Sequence, residues 1–130
     1  MFLIDSSAWI EYFRPKGSLS VKERVREILK KEEAITCGIV TIELLRGAKD
    51  QIFFESLKEY LLALPQIPLD EVVLLKAAEW GFLLDPKVKK VPTTDLIIGA
   101  SAYNRATVLH CDSDFELLAN RFGLAQENCR

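Results

Sequence analysis

Short unbroken apolar runs alternate with longer stretches of helical periodicity along the whole chain. Phe2-Leu3-Ile4 is such a run, expected of a strand covered on both faces; Asp5 falls where it stops, and Ser6 and Ser7 open a helix. Arg14-Pro15-Lys16-Gly17-Ser18 breaks that helix, and Ser20-Val21-Lys22-Glu23 reads as a capping box for a second helix running to about residue 31. Ala34-Ile35-Thr36-Cys37 predicts a second strand, followed by Gly38 and an apolar helix over residues 39–48. Asp50 caps a helix over residues 51–64, whose Phe53, Phe54, Leu57, Tyr60, Leu61 and Leu64 form a wide apolar stripe. That stripe exceeds what one sheet face needs, and it serves the core or a contact with a partner or second subunit.

Pro65 ends this helix, residues 66–69 predict a short third strand, and Asp70 caps a helix carrying Val72, Val73, Leu75, Ala78 and Trp80. Residues 84–92 form a loop with Asp85-Pro86 at its start. Thr93-Thr94 leads into a helix over residues 95–102, and Thr107 to His110 is a fourth strand. Ser113-Asp114-Phe115-Glu116 repeats the capping-box pattern for a last helix, which Gly123 closes. Strands alternating with helices in this order predict an α/β fold: a parallel sheet of four to five strands, joined by right-handed crossovers and flanked by helices in an α/β/α sandwich.

A length of 130 residues with 49% hydrophobic content suits one domain spanning residues 1–130. No apolar run is long enough to cross a bilayer, and the N-terminus lacks the basic start and small-residue cleavage site of a signal peptide. A soluble, cytoplasmic protein without membrane association is expected. Cys37, Cys111 and Cys129 are odd in number, far apart in sequence and without a Cys-x-x-Cys pair, so they read as reduced packing residues, with neither a disulfide framework nor a zinc site. Seventeen Lys and Arg against nineteen Asp and Glu leave a formal charge of −2, which excludes a polyanion binder relying on bulk positive charge.

The chemistry lies in the acids. Asp5, at the end of the first strand, stands where ligands collect in open α/β sheets, or it is simply the cap of the helix that follows. Glu43 lies among Ile39, Ile42, Leu44 and Gly47; it rests against the protein body and needs a partner, or it swings to solvent at a rim. Asp95 opens a helix, with Gly99 one turn later leaving room for close approach by backbone or ligand. Asp112 and Asp114 follow the fourth strand at once. Lys87, Lys89 and Lys90 cluster before Pro92, as a phosphate-backbone contact or a solvated turn.

Four separate elements thus each deliver an acid, and clustered carboxylates repel unless they take up protons or share a cation. Hard divalent ions such as Mg²⁺ or Mn²⁺ are the natural remedy, and they suit phosphodiester hydrolysis. His110, the only histidine, is expected as a packed or edge residue rather than a general base. No Gly-x-Ser-x-Gly, Gly-x-x-x-x-Gly-Lys or Gly-x-Gly-x-x-Gly occurs. An aspartyl phosphatase would want a second acid two residues after Asp5, where the chain has Ser7.

Ile4-Asp5-Ser6-Ser7-Ala8-Trp9-Ile10, Val40-Thr41-Ile42-Glu43-Leu44-Leu45-Arg46-Gly47, Thr94-Asp95-Leu96-Ile97-Ile98-Gly99-Ala100 and Val108-Leu109-His110-Cys111-Asp112-Ser113-Asp114-Phe115 together resemble the successive motifs of PIN-domain ribonucleases, specifically VapC-type toxins of toxin-antitoxin pairs. The resemblance spans nearly the whole chain. It implies a parallel sheet between helices, Mg²⁺ or Mn²⁺ in an acidic pocket, endonucleolytic cutting of RNA, a homodimer, and a small antitoxin whose C-terminal segment covers the active site. By position Asp5, Glu43 and Asp95 match the family's metal-binding acids, and Asp112 the fourth, with Asp114 as supporting or alternate acid. Ser6 and Ser7 match a hydroxyl position able to orient a water or phosphate, and with Lys89 and Lys90 they are the expected substrate contacts. His110 stands where many relatives have threonine. The expectation is a metal-dependent endoribonuclease toxin, against the alternative of a catalytically inactive PIN-like module that binds RNA or protein.

Overall fold

A computed structural model describes all 130 residues. Its elements run β1 (Phe2–Ile4), α1 (Ser6–Phe13), α2 (Leu19–Lys30), β2 (Ala34–Cys37), α3 (Gly38–Arg46), α4 (Gln51–Leu62), β3 (Gln66–Ile67), α5 (Glu71–Leu83), α6 (Thr93–Ala102), β4 (Thr107–His110), α7 (Ser113–Phe122) and β5 (Gln126–Asn128). The strands form one five-stranded sheet in the order β3-β2-β1-β4-β5, and every pairing is parallel. The three strands with continuous apolar runs are the interior ones, because only there are both faces covered; Leu3, Ile4, Val108 and Leu109 are fully buried. Strand order reverses between β1 and β4, so the carboxyl ends of these two neighbours face one crevice, the usual place for ligands in such sheets.

Aromatic packing fixes the helices on this sheet. Trp9 is fully buried, stacks on Phe13 at 5.5 Å and meets Tyr60 edge-on at 6.0 Å. Trp80 stacks on Phe122 at 4.8 Å, joining α5 to α7. The apolar stripe on α4 is therefore mainly core: Leu57 and Leu61 are buried, while Phe53 and Leu64 are half-buried. Gly99 also has a packing role, since a Cβ there would meet Leu118, Leu124 and Trp80 side chains rather than backbone or ligand.

α6 begins at Thr93, two residues before the expected start, and two helix caps differ from expectation. α2 is capped by Ser18, whose Oγ accepts from the Val21 N–H, so Ser20 lies inside the helix. α7 is capped by Asp112, whose Oδ1 accepts from the Asp114 N–H at 2.9 Å, and Ser113 becomes its first helical residue. In both cases the cap is the earlier of two competent residues. Gly123 closes α7 in the left-handed conformation, with φ 76°. The fifth strand, β5, escaped placement because Gln126-Glu127-Asn128 has no apolar pattern. It is an edge strand fastened by polar contacts: Arg24 grips Glu127 through two hydrogen bonds of 2.7 and 3.0 Å, and Asn128 donates to Glu116 at 2.8 Å.

Candidate active site

Asp5 and Asp112 each follow an interior strand and cap the next helix, and the cap occupies only part of the carboxylate. Asp5 Oδ2 accepts from the Ser7 N–H at 3.1 Å and from Ser7 Oγ at 2.6 Å, while its buried Oδ1 has no partner at all. The cap reading of Asp5 therefore holds, and it leaves one carboxylate oxygen free. Ser7 Oγ also accepts from the Cys111 N–H at 3.0 Å, so one hydroxyl ties the end of β1 to the end of β4. Asp95 enters from the first turn of α6, and Asp95, Asp112 and Asp114 present carboxylate oxygens that all lie within 4.8 Å of one another. Asp5 borders this group, and Asp5 in turn borders Glu43 on α3, whose Oε1 accepts from Ser6 Oγ at 3.1 Å. Glu43 is half-buried with a hydroxyl partner, and it lies outside the tight trio.

Electrostatics follow from this crowding. Asp95, only 9% exposed, has its pKa pushed up to about 8, first by burial, then by the Asp114 carboxylate to which protonated Asp95 donates, and by the charges of Asp5, Asp112 and Asp114. Burial also raises Asp5 and Glu43, and the Ser7 and Ser6 hydrogen bonds only partly offset it. Asp114 goes the other way: burial opposes its charge, but Lys89 Nζ at 2.6 Å and the contacts with Asp95 and Asp112 outweigh that and hold it below its ordinary value. Lys89 also donates to Ser113 Oγ at 2.7 Å, so it is committed to the acid cluster; Lys90, exposed like Lys89, makes no ion pair. An unpartnered buried oxygen on Asp5, a proton held on Asp95 and three convergent all-oxygen donors together fit a hard divalent cation.

The sequence reads His110 as a packed or edge residue rather than a general base. It is fully buried, as expected, but its Nδ1 accepts from the Asp112 N–H at 3.0 Å. That bond requires a proton on Nε2, which donates to Gln126 Oε1 at 2.7 Å on β5. The only available signal was the His-x-Asp spacing, which reveals nothing until the chain folds the Asp112 amide back over the ring.

A family model for the PIN domain matches residues 2–120. Ribonuclease VapC11 of Mycobacterium tuberculosis is 33% identical over 124 residues, which is 92% of each chain. This chain belongs to the PIN-domain family, among the VapC ribonucleases. Its PIN fold is shared with solved structures of lower sequence likeness. FitAcB from Neisseria gonorrhoeae superposes with a TM-score of 0.77 at 22% identity, covering 98% of this chain and 97% of that one. VapBC2 from Rickettsia felis, bound to a promoter DNA fragment, gives 0.75 at 20% identity, covering 98% and 97%. Within this PIN domain the acids of three motifs, Asp5, Asp95 and Asp112 with Asp114, gather at the ends of β1 and β4, and Glu43 of the remaining motif borders Asp5. No helix is long and apolar enough to cross a membrane.

Proposed function

We propose that this protein is a divalent-metal-dependent endoribonuclease, and the toxin of a toxin-antitoxin pair. The observation that carries the reading is the meeting of Asp95, Asp112 and Asp114 within 4.8 Å, beside the unpartnered Oδ1 of Asp5. Asp5, Asp95, Asp112 and Asp114 would hold Mg²⁺ or Mn²⁺, with Glu43 at the margin. Such an ion supplies charge neutralisation for a phosphodiester and acidity for an attacking water. Asp95 would give up its proton to complete the donor set, for which the Lys89 ion pair already holds Asp114 ionised. Glu43, whose affinity for protons burial has raised, takes the proton of the attacking water. Ser6 orients Glu43, and Ser7 orients Asp5. With Lys89 engaged, the phosphate contact from this loop falls to Lys90.

The partners follow from two surfaces. An apolar groove of about 450 Å³ opens beside Glu43, lined by Ile10, Phe13, Leu44, Phe53 and Leu57 with Arg14 and Lys49 among them. It would receive an apolar, acid-bearing segment of the antitoxin. Val72, Leu75 and Phe82 lie exposed along one face of α5, Phe82 at 87%, and they are the better candidate for the homodimer contact than the buried stripe of α4.

The deciding experiment is cleavage of a mixed RNA pool by purified protein with Mn²⁺, with chelator, and by Asp5→Asn. Asn caps a helix as well as Asp does, so the variant is expected to fold and yet to lose Mn²⁺ binding and cutting together. Cutting that persists in chelator, or in folded Asp5→Asn, would refute metal-dependent hydrolysis at these acids. Folded wild type that binds Mn²⁺ but cuts nothing in the pool would point to a narrow substrate or bound antitoxin, and one that binds no Mn²⁺ would favour the inactive binding module.

A further inference from the structure

Two of the three thiols, distant in sequence, meet in the fold at the edge of the acid site, with Cys111 directly before Asp112. β4 and β5 pair in parallel with His110 opposite Asn128, so the next residues on each chain, Cys111 and Cys129, fall opposite one another. Their Sγ atoms are 3.4 Å apart, and the Cys129 N–H donates to the His110 carbonyl at 3.0 Å, which continues the ladder to this pair. Neighbouring strands lie about 4.8 Å apart, inside the roughly 4.4–6.8 Å between Cα atoms that a disulfide accepts. Both cysteines are half-buried, whereas Cys37 is buried elsewhere in the core.

We propose that Cys111 and Cys129 are a redox-modifiable pair that closes to a reversible cross-strand disulfide, latching the edge strand β5 onto β4. Hydrogen peroxide serves as the oxidant. One thiol attacks the peroxide, whose O–O bond breaks to leave a sulfenic acid and water. The second thiol displaces the sulfenic oxygen, which leaves as a second water, so two thiols and one hydrogen peroxide become one disulfide and two waters. Forming the bond requires the sulfurs to approach by about 1.4 Å. The Cys129 side yields, because β5 has a neighbour on one side only, while Cys111 follows an interior strand and its N–H is held by Ser7 Oγ. The latch reinforces the strand that carries Gln126, the partner of His110 behind Asp112.

The test uses the full chain, with Cys37→Ser and Cys129→Ser variants, treated with hydrogen peroxide and then examined by intact mass, by peptide mapping and by thermal unfolding. The expected result is an intramolecular Cys111–Cys129 bond: a loss of two hydrogens restored by dithiothreitol, present in wild type and Cys37→Ser, absent in Cys129→Ser. Closing an 18-residue separation is expected to raise Tm on the order of 5–10 °C. Cross-linking between chains, a bridge to Cys37, irreversible over-oxidation without a bridge, or a bridged form that melts below the reduced one would each overturn the proposal.

Discussion

Asp5 and Asp112 give one part of a carboxylate to a helix cap, which explains how a site of repelling acids can sit at strand ends without fraying them. The same economy makes His110 a positioning residue: its Nδ1 holds the amide of the residue that bears the Asp112 carboxylate. Replacing it tests that role. Asn can offer Oδ1 close to the place of Nδ1, whereas Leu leaves the Asp112 N–H without its acceptor, at a cost of about 1–3 kcal/mol. His110→Leu is therefore expected to lower stability in urea and to weaken Mn²⁺ binding by calorimetry, with His110→Asn recovering much of the Mn²⁺ affinity. Equal Mn²⁺ affinity in all three proteins would reduce His110 to a packing role.

Helix entry into this sheet is governed by caps, and the first loop shows how finely. Gly17 lies against the Glu11 carbonyl, so closely that a Cβ there would collide with it, and the Glu11 carboxylate accepts from the Ser18 N–H at 2.9 Å. These contacts set the chain direction at Ser18 and make it, rather than Ser20, the cap of α2. Ser18→Ala is expected to cost roughly 0.5–1 kcal/mol while Ser20→Ala changes stability little, as chemical denaturation would measure. The reverse order would mean that the capping box at Ser20 governs after all. Both serines satisfy the local pattern, so only the packing of Gly17 on Glu11 separates them. The same holds at Asp112 and Ser113, where β4 ends at His110 as expected and the helix starts one residue earlier than the capping-box pattern suggests.

Across the whole molecule, the acid crevice makes cation-free stability depend on pH in a direction fixed by Asp95. Its ordinary value is 3.8 and its folded value about 8, so between these limits the fold keeps a proton that the unfolded chain has released. Stability then falls as pH rises through that window, and the raised Asp5 and Glu43 act in the same sense. Asp114, lowered, contributes stability above its ordinary value and loses it only in stronger acid. In chelator the protein is expected to melt lower at pH 8 than at pH 5.5, with Asp95→Asn flattening the slope and Mn²⁺ reversing it by mass action. An unchanged slope in Asp95→Asn would place the cause elsewhere. For assembly, Phe82→Glu on α5 is expected to yield monomers by light scattering without loss of fold, whereas Leu61→Glu, at a fully buried position, is expected to unfold the chain. A Phe82→Glu variant that stays dimeric would exclude α5 as the contact.

The chain's own pattern determined the kinds of elements, the bounds of β1, β2 and β4, and the four segments that carry acids, because apolar run length, helical period and caps are properties of neighbours in sequence. It could not determine which acids meet. Ser7 and Cys111 stand 104 positions apart, and only the order β3-β2-β1-β4-β5 sets their strands side by side. The same pairing decided the polar edge strand β5, the grip of Lys89 on Asp114, the bond from His110 to the Asp112 amide and the meeting of Cys111 with Cys129. A local pattern specifies which face of an element is apolar; it does not specify which other element that face or strand edge will find, since pairing is settled by the packing of the whole sheet.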